Sequence, residues 1–464
     1  MIIIALLASV LALQDGNRLT YLDESDPYYV SGRFPKLTTP QWVGEEGVQA
    51  ALIFSIDDMM DTAKYEAYLR PLLDRLKKVD GRAPVSILTC KVDPRDEQLQ
   101  RWLVEGLSLD NHTSTHPHPL LRDGDFAKAR GNVDRCTDML FDIPNNRPVA
   151  FRMPWCDVLN TQSPRFFAEI FNKTTASGRF LTIDSSVFTF LAPRDRYQKY
   201  LAHAPNYVNW VDDYPYPYVI GRLCWEFPGV VPDDSLGQRL NKPNSPATVE
   251  DLKATIDTVV EKQGTWTFVF HPHNWIKNSQ LVELVDHAVE KHGRKVLFLN
   301  FREAQERLDK NLLGGHPLRR ADGGDNGVRI LDVDGDGHVD VVIGNDKAKT
   351  TRIWKGSRWE ETSFPVAVDE HLRFGIVGKQ TVALTAKRAW RFEGGAWKED
   401  ASLVPPAFDR SARLRDATND GTCELLVGSD VYAWSGGWKK QSWGLPKGTA
   451  VVDEEGRDAG LRFV

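Results

Sequence analysis

Apolar strand patterns and amphipathic helix patterns alternate along residues 48–312, and no other feature of the sequence limits the fold as strongly. Strand patterns include "VQAALIFSI", "APVSILTC" and "TWTFVF", and helical periodicity marks "TAKYEAYLRPLLDRLKKV" and "SQLVELVDHAVEKHG". Strands that alternate with helices pair in parallel through crossovers. The pattern therefore predicts an α/β domain with a parallel, barrel-like sheet. Residues 160–248, rich in aromatics and prolines, interrupt it, either as a roof over a site or as surface loops.

From about residue 313 the pattern changes to short strands, glycines and repeated tryptophans. Three segments resemble one another, each with a strand, a glycine-containing turn and a strand that opens with Trp: "RIWKGSRWEE", "AWRFEGGAWKED" and "AWSGGWKKQS". A period of roughly 40–50 residues with such hairpins is typical of four-stranded propeller blades. We predict an all-β, propeller-like repeat region over 313–464. About three repeats are visible, whereas closed propellers have roughly four to eight blades. We therefore expect an incomplete propeller, unless its last blade packs on the first or residues 16–47 seal it.

The chain opens with an apolar run, "MIIIALLASVLALQ", that is too short to span a bilayer comfortably. Val10 and Ala12 give an acceptable small-residue cleavage pattern, and a polar, acidic segment follows at once. We predict a signal peptide over 1–13 and an N-terminal extension over 14–47; a buried N-terminal strand is the alternative. Because no later segment is long and apolar enough to anchor the chain, we expect no membrane span. The expected location is secreted, periplasmic or cell-surface.

Composition excludes some classes of partner and scaffold. The chain has 58 basic and 64 acidic residues and no basic block, so nothing indicates a nucleic-acid partner. Its five cysteines are too few for a disulfide scaffold, and their spacing matches no zinc finger. One or two disulfide bridges are compatible with the sequence, which does not determine their pairing.

Three of the eleven histidines lie in the stretch "LSLDNHTSTHPHP" at 107–119. His112 and His116 are four residues apart, so a turn of helix or a tight loop aims both imidazoles at one point. A hydrolytic zinc site needs about three protein ligands and an open position for water. The end of an early strand supplies a carboxylate, because Asp57 and Asp58 are adjacent in "IFSIDDMMD" and neighbouring strand residues point to opposite sides.

Two further strand ends supply polar side chains. Arg152 follows an apolar run in "VAFRMPWCD", and an arginine beside a carboxylate keeps it ionised and oriented as a base. His271 ends "TFVFH", where it could donate a proton to a leaving group, or simply pack against Trp275 as a loop histidine.

In this order, the pieces resemble the polysaccharide deacetylases of carbohydrate esterase family four. The matching motifs are Asp57-Asp58, "HTSTH" at 112–116, "RMPW" at 152–155 and "FVFH" at 268–271, and the resemblance covers about residues 48–310 of the predicted catalytic domain, 48–312. It implies a distorted (β/α) barrel with a zinc-type divalent metal on Asp58, His112 and His116. It further implies Asp57 as general base, Arg152 as its holder, His271 as general acid, and Trp155 and Phe188 in the substrate pocket. His118 is then a scaffold residue.

The chain departs from that family pattern at three places. Met59 stands where the family has glycine after Asp-Asp, and Cys156 stands where it has glycine after Pro-aromatic. The family's Asp-x-x-Asp-Trp motif corresponds to "DSSVF", Asp184 to Phe188, so Val187 replaces the aspartate that orients the acid histidine. These departures leave the predicted metal ligands intact and change the proton donor's surroundings.

A second metal motif lies in the repeat region. "LDVDGDGHVD" spaces Asp332, Asp334, Asp336 and Asp340 along a glycine-rich loop, with the carbonyl of His338 between them, as hard oxygen ligands for calcium require. It resembles the calcium loop of integrin-type propeller repeats (FG-GAP, or VCBS). A weaker copy carries Asp416, Thr418, Asp420 and Glu424, and a turn rich in small polar residues explains it equally well.

These observations lead to one main hypothesis and two alternatives. The main hypothesis is a secreted, metal-dependent deacetylase that hydrolyses N- or O-acetyl groups on a polysaccharide, with calcium in the repeat region. One alternative is a non-sugar amide hydrolase that uses the same site. The other is a non-catalytic glycan-binding or adhesion protein that acts through the propeller, where further repeats or a protein partner would bind.

Overall fold

The computed structural model describes Thr39, residues 42–156, 163–192, 194–203 and 210–454, with Ala459 and Leu461. These residues form two compact units: an N-terminal unit of 39–315 with 321–323, and a C-terminal unit of 316–320 with the residues from 324 onward. The predicted signal peptide and most of the predicted N-terminal extension lie outside the described residues.

One twelve-stranded sheet forms the framework of the N-terminal unit. Its strands are β1 (Ala50–Met59), β2 (Val85–Thr89), β3 (Ser108–Asn111), β4 (Ala150–Phe151), β5 (Ile183–Asp184), β6 (Phe188–Phe190), β7 (Trp210–Asp212), β8 (Tyr218–Ile220), β9 (Cys224–Glu226), β10 (Gly229–Val230), β11 (Thr265–Phe270) and β12 (Val296–Phe298). Their order is β7-β6-β10-β11-β1-β2-β3-β4-β5-β9-β8, with β12 beside the start of β1. Every pair is parallel except β8 with β9. Among the described strands the two ends of this path stay unjoined, so the predicted barrel is a curled half-barrel.

Helices connect successive strands, as the periodicity predicts. They are α1 (Thr62–Asp80), α2 (Glu97–Glu105), α3 (Phe126–Asp142), α4 (Pro164–Phe166), α5 (Arg194–Gln198), α6 (Asp234–Asn241), α7 (Pro246–Lys262), α8 (Asn278–His292) and α9 (Phe301–Arg307). Local chemistry sets their ends. Asp61 caps α1 by accepting a 3.0 Å hydrogen bond from the Lys64 N–H, and Gly81 ends it with a φ of 71°.

An aromatic layer aligns the two central strands. Trp266, Phe268 and Phe270 alternate along β11, so their rings lie on one face and stack with centroids 5.0 and 5.5 Å apart. Phe54 of β1 meets all three rings edge-on, and the strands pair with Phe54 opposite Phe268. Burial of this face fixes the register, so the carboxyl ends of β1 and β11 lie side by side.

The aromatic stretch at 160–248 contributes to the sheet. Its described part forms the six short strands β5 to β10, and Tyr214, Tyr216 and Tyr218 are buried against one another. The strands of this stretch are therefore part of the core and not surface loops; whether the stretch also covers the site stays a prediction. Strands of two or three residues are too short to show a period-2 pattern, so they could not be predicted from the sequence.

The C-terminal unit contains three antiparallel four-stranded sheets. The first comprises β13 (Val328–Leu331), β14 (Asp340–Gly344), β15 (Lys349–Trp354) and β16 (Trp359–Ser363). The second comprises β17 (Arg373–Val377), β18 (Gln380–Leu384), β19 (Ala389–Glu393) and β20 (Ala396–Glu399). The third comprises β21 (Arg413–Arg415), β22 (Glu424–Val427), β23 (Asp430–Trp434) and β24 (Trp438–Gly444). The three tryptophan-marked hairpins are confirmed as the last two strands of each sheet. Their closure into a propeller stays a prediction.

All five cysteines are buried and free, so neither of the disulfide bridges left open by the sequence forms. None of the described helices combines the length and the apolar character needed to cross a membrane.

Candidate metal centre and its surroundings

The candidate residues converge because parallel strands bring their carboxyl ends to one edge of the sheet. Asp57 and Asp58 lie at the end of β1, His112 follows β3, Arg152 follows β4, and His271 follows β11. Ligands of open α/β sheets bind at this edge. The structure therefore places residues up to 214 positions apart within one site.

Asp58, His112 and His116 form the centre of this site. One carboxylate oxygen of Asp58, Oδ1, lies 3.1 Å from His112 Nε2 and 2.8 Å from His116 Nε2. The register of β1 against β2 shifts between Ile56 and Met59, and Asp58 has a φ of 69°. This bulge turns the Asp58 carboxylate toward the histidines, away from that of Asp57.

The geometry fits a divalent transition metal. His112 Nδ1 lies 2.8 Å from the backbone carbonyl of Arg152, which only accepts, so Nδ1 carries the proton. The lone pair of His112 Nε2 then faces the Asp58 carboxylate, and a cation between them relieves the repulsion. Burial raises the pKa of Asp58, but its contacts with the imidazoles of His112, His116 and His273 outweigh burial and hold this pKa well below its usual value. An Asp-His-His set that leaves open positions is typical of catalytic zinc-type sites.

Asp57 is buried and held by Arg152. The Arg152 Nη1 donates to Asp57 Oδ1 at 2.7 Å, while its Nη2 donates to the hydroxyls of Ser55 and Ser185 at 2.9 and 2.8 Å. Its Nε donates to the Ser185 carbonyl at 2.7 Å. Arg152 is fully buried and fixed on three sides, so the carboxylate of Asp57 has one orientation and a permanent counter-charge.

Asp234 orients His271, a role that the sequence analysis treats as lost at Val187. The Asp234 Oδ1 lies 2.8 Å from His271 Nδ1, and its Oδ2 accepts from the His271 backbone N–H at 2.8 Å. Desolvation lowers the pKa of His271, but the Asp234 carboxylate outweighs it and the pKa rises to about 10. Val187 is a fully buried core residue. The orienting carboxylate is therefore present, supplied from the start of α6; the signal was "PDDS" after the strand pattern "GVV".

His273 is a site residue to which the sequence analysis assigned no role. Its Nε2 lies 3.0 Å from Asp58 Oδ2, and His271 Nε2 lies 4.0 Å from the same oxygen. The Asp58 carboxylate thus has two histidines at each oxygen. The spacing in "HPHNW" places both rings on one side of the turn, stacked with centroids 5.4 Å apart.

The remaining predicted site residues separate into two environments. Trp155 is 47% exposed and stacks on His118, with centroids 4.4 Å apart and an interplanar angle of 18°. Beside His116 and His118 a polar cleft of about 310 Å³ also touches Arg122 and Lys128. Phe188, in contrast, is 2% exposed and its ring lies over Gly229 in the core, so it does not face this cleft.

The first predicted calcium loop brings three of its carboxylates together. Carboxylate oxygens of Asp332, Asp334 and Asp340 lie within 4.8 Å of one another, and Lys355 contacts Asp334. The Asp336 carboxylate stands outside this group, and the predicted role of the His338 carbonyl stays a prediction. The Asp336 carboxylate accepts the His338 N–H at 2.9 Å.

The weaker loop has the same hydrogen-bond pattern. The N–H of Val333 donates to Asp340 in the first loop, and the N–H of Ala417 donates to Glu424 in the second. The Asp416 carboxylate accepts from the Asp420 and Gly421 N–H groups, as that of Asp332 does from its own loop. In the described part of the chain, the carboxylates of the second loop do not converge as those of the first do.

Part of the chain matches a known protein family. Residues 46–163 match the family model described as polysaccharide deacetylase. The match includes Asp57, Asp58, His112, His116 and Arg152. No curated protein sequence matches the chain.

Several solved structures are also similar to this chain. A probable polysaccharide deacetylase from Pseudomonas aeruginosa PAO1 is 14% identical, with 60% of this chain and 96% of that one covered and a TM-score of 0.41. The peptidoglycan deacetylase PdaC from Bacillus subtilis is 16% identical, with 57% and 95% covered and a TM-score of 0.33. The structure titled Puue Allantoinase is 12% identical, with 61% and 96% covered and a TM-score of 0.41. Scores this low carry no argument about function.

Proposed function

We propose that the N-terminal unit is a metal-dependent hydrolase that removes acetyl groups from a polysaccharide. The observation that carries this proposal is the arrangement around Asp58: two histidines on one carboxylate oxygen, a base held by Arg152, and an acid held by Asp234. The match of residues 46–163 to the polysaccharide deacetylase family supports it. The products are acetate and the freed alcohol or amine.

A metal bound by Asp58, His112 and His116 would supply a Lewis acid that polarises the acetyl carbonyl and acidifies a water molecule. Asp57 accepts the proton of the attacking water. Its orientation is fixed because Arg152 is held in turn by Ser55 and Ser185. His271 then donates its proton to the departing oxygen or nitrogen, and Asp234 keeps the imidazole protonated and aligned.

The surroundings of the site favour a carbohydrate substrate. Trp155 is 47% exposed and stacks on His118, whose ring centroid lies 5.8 Å from that of His116. An exposed aromatic face is a large apolar surface that a sugar ring can cover. The cleft beside His116 and His118 has both polar and apolar lining, and its charged side chains, among them Arg122 and Lys128, suit a hydroxyl-rich ligand.

Acetate release is the measurement that tests the proposed function. The zinc-loaded chain is incubated with O-acetylated and N-acetylated oligosaccharides and with small non-sugar amides, and acetate or amine is quantified. We expect acetate from at least one acetylated oligosaccharide, lost in His112→Ala. Hydrolysis confined to non-sugar amides would support the alternative substrate class. If metal-loaded protein hydrolyses none of these substrates, the glycan-binding alternative is favoured. The complete set of acid, base, Arg152 and Asp234 argues against that alternative.

Two further roles complete the proposal. We propose that calcium binds the loop of Asp332, Asp334 and Asp340, and that the chain works outside the cytoplasm after removal of residues 1–13. Mass spectrometry of native material tests the second point. An intact Met1 in a cytoplasmic fraction would contradict it.

A further inference from the structure

A second cluster of metal-binding side chains lies on the surface of the N-terminal unit, on two adjacent helices. Asp257 belongs to α7, and His287 and His292 belong to α8. The Asp257 Oδ1 lies 2.9 Å from His287 Nε2 and 2.6 Å from His292 Nε2. The described residues of the chain contain three groups of converging carboxylates, histidines or cysteines, and this one has no role in the proposed hydrolysis.

The cluster lies at the opposite edge of the sheet from Asp58. Helix α7 ends at Lys262, shortly before β11 begins at Thr265, and α8 ends at His292, shortly before β12 begins at Val296. Asp257 and the two histidines are therefore near the amino ends of the strands. The candidate metal centre is at their carboxyl ends, so the two clusters cannot share one ion.

We propose that Asp257, His287 and His292 bind a divalent transition metal of the zinc class, which joins α7 to α8. Imidazole nitrogens and a carboxylate oxygen are the donors that zinc prefers, at about 2.0–2.2 Å each. Tetrahedral ligands at such distances are about 3.3 Å apart. The present separations of 2.9 and 2.6 Å expand to that value with side-chain shifts of well under 1 Å.

The surroundings favour a cation at this point. His292 is the last residue of α8, where the carbonyl groups and the helix dipole present negative charge. Lys291 Nζ lies 2.7 Å from Asp257 Oδ2 and leaves Oδ1 to the two histidines. A ligating carboxylate commonly has such an outer hydrogen bond on its second oxygen. All three ligand side chains are only 11–22% exposed, so their geometry is largely fixed before the ion arrives.

Zinc stoichiometry of the full chain tests this site separately from the proposed catalytic one. The protein is stripped with a chelator, dialysed against zinc, and analysed for metal content, with affinity measured by competition against a chromophoric chelator. In a His112→Ala background, which disables the candidate catalytic centre, we expect one zinc per chain. We expect His287→Ala or His292→Ala in that background to weaken this zinc at least tenfold.

A control variant separates ligand loss from a general effect. His371→Ala removes an exposed histidine outside the cluster and should keep the zinc. Circular dichroism of each metal-free variant must match that of the parent, so that unfolding is excluded. The proposal is overturned if zinc binding in the His112→Ala background is absent or is unchanged by the His287 and His292 substitutions. If the Asp58 centre binds no zinc but this inference is right, wild type binds one zinc and His287→Ala weakens it at least tenfold.

Discussion

The two adjacent aspartates of β1 differ in what their carboxylates contact. Substitution of each should therefore have a different effect on metal content and on turnover. Asp58 faces His112 and His116, whereas Asp57 faces the guanidinium of Arg152. We expect Asp58→Asn to lose the zinc of this centre, and activity with it, because an anionic ligand is gone, while any zinc at Asp257, His287 and His292 stays bound. Asp57→Asn should keep zinc with affinity little changed, while turnover falls by roughly 10²–10⁴-fold, the usual contribution of a positioned general base. Elemental analysis and acetate release on each variant measure both effects; loss of zinc in Asp57→Asn alone would reverse the roles.

The Asp234 carboxylate gives a prediction about pH. It raises the pKa of His271, and a general acid works only while protonated. Asp234→Asn keeps a hydrogen-bond acceptor but removes the charge, so the pKa of His271 falls. The alkaline decline of kcat/KM should then begin at lower pH, and kcat at neutral pH should drop about tenfold or more. A pH–rate profile of both forms shows this. Metal content should stay unchanged, and an unshifted alkaline limb would mean that Asp234 serves only the structure.

Among individual residues, the sequence predicts those that belong to short local motifs. Asp57, Asp58, His112, His116, Arg152 and His271 each stand in a short recognisable pattern, and the structure brings them together. The sequence analysis gave no role to Asp234 or His273, because their positions depend on the pairing of β10 and β11 and on a turn. Phe188 was placed in the pocket by motif alignment, although the packing of β6 buries its ring.

Among the elements, the two acidic loops of the C-terminal unit differ in charge. The first carries Asp332, Asp334, Asp336 and Asp340, whereas the second has Thr418 at the position of Asp334. Because calcium affinity rises with the number of charged ligands, we expect the first loop to bind calcium more tightly. Asp334→Asn should weaken that site at least tenfold without removing a backbone hydrogen bond of the loop.

The measurement is a calcium titration of the chelator-treated chain, with Asp420→Asn in the second loop as the matched control. That control should leave the tighter site unchanged. Equal weakening by both substitutions would show that the two loops do not bind independently. If no calcium binds at all, the first loop is a turn that Asp332 stabilises and it has no metal role.

Long elements were predictable from the sequence and short ones were not. The predicted helix at 62–79 and the predicted strand at 265–270 agree with α1 and β11 to within a residue, because burial of one face over many residues leaves a clear period. The strands β4, β5 and β10 have two residues each, and their pairing is set by neighbours far along the chain. Among the described strands the sheet forms a half-barrel, so the predicted distorted barrel is confirmed in its parallel, curled sheet and not in its closure.

In the whole molecule, the proposed zinc and calcium should each slow hydrogen exchange in a different set of peptides. Zinc ligands lie in the N-terminal unit and calcium ligands in the C-terminal unit. In hydrogen–deuterium exchange of the chelator-treated chain, zinc should slow exchange in peptides that contain residues 108–118, and calcium in peptides that contain 330–342. A bound ion slows local opening because it binds the closed form alone. If both ions protect the same peptides, the assignment of one metal to each unit is wrong.

The five buried thiols have a consequence for how this chain reaches its folded state. Burial raises the pKa of Cys136 and Cys423 to about 12, so at pH 8 only about one thiol in 10⁴ is the reactive thiolate. The unfolded chain, in contrast, exposes ordinary thiols. In an oxidising compartment, folding therefore competes with oxidation, and every disulfide formed early is a wrong one. Refolding yield should depend on reductant during the first stages of folding, and the folded chain should then resist both oxidants and alkylating reagents.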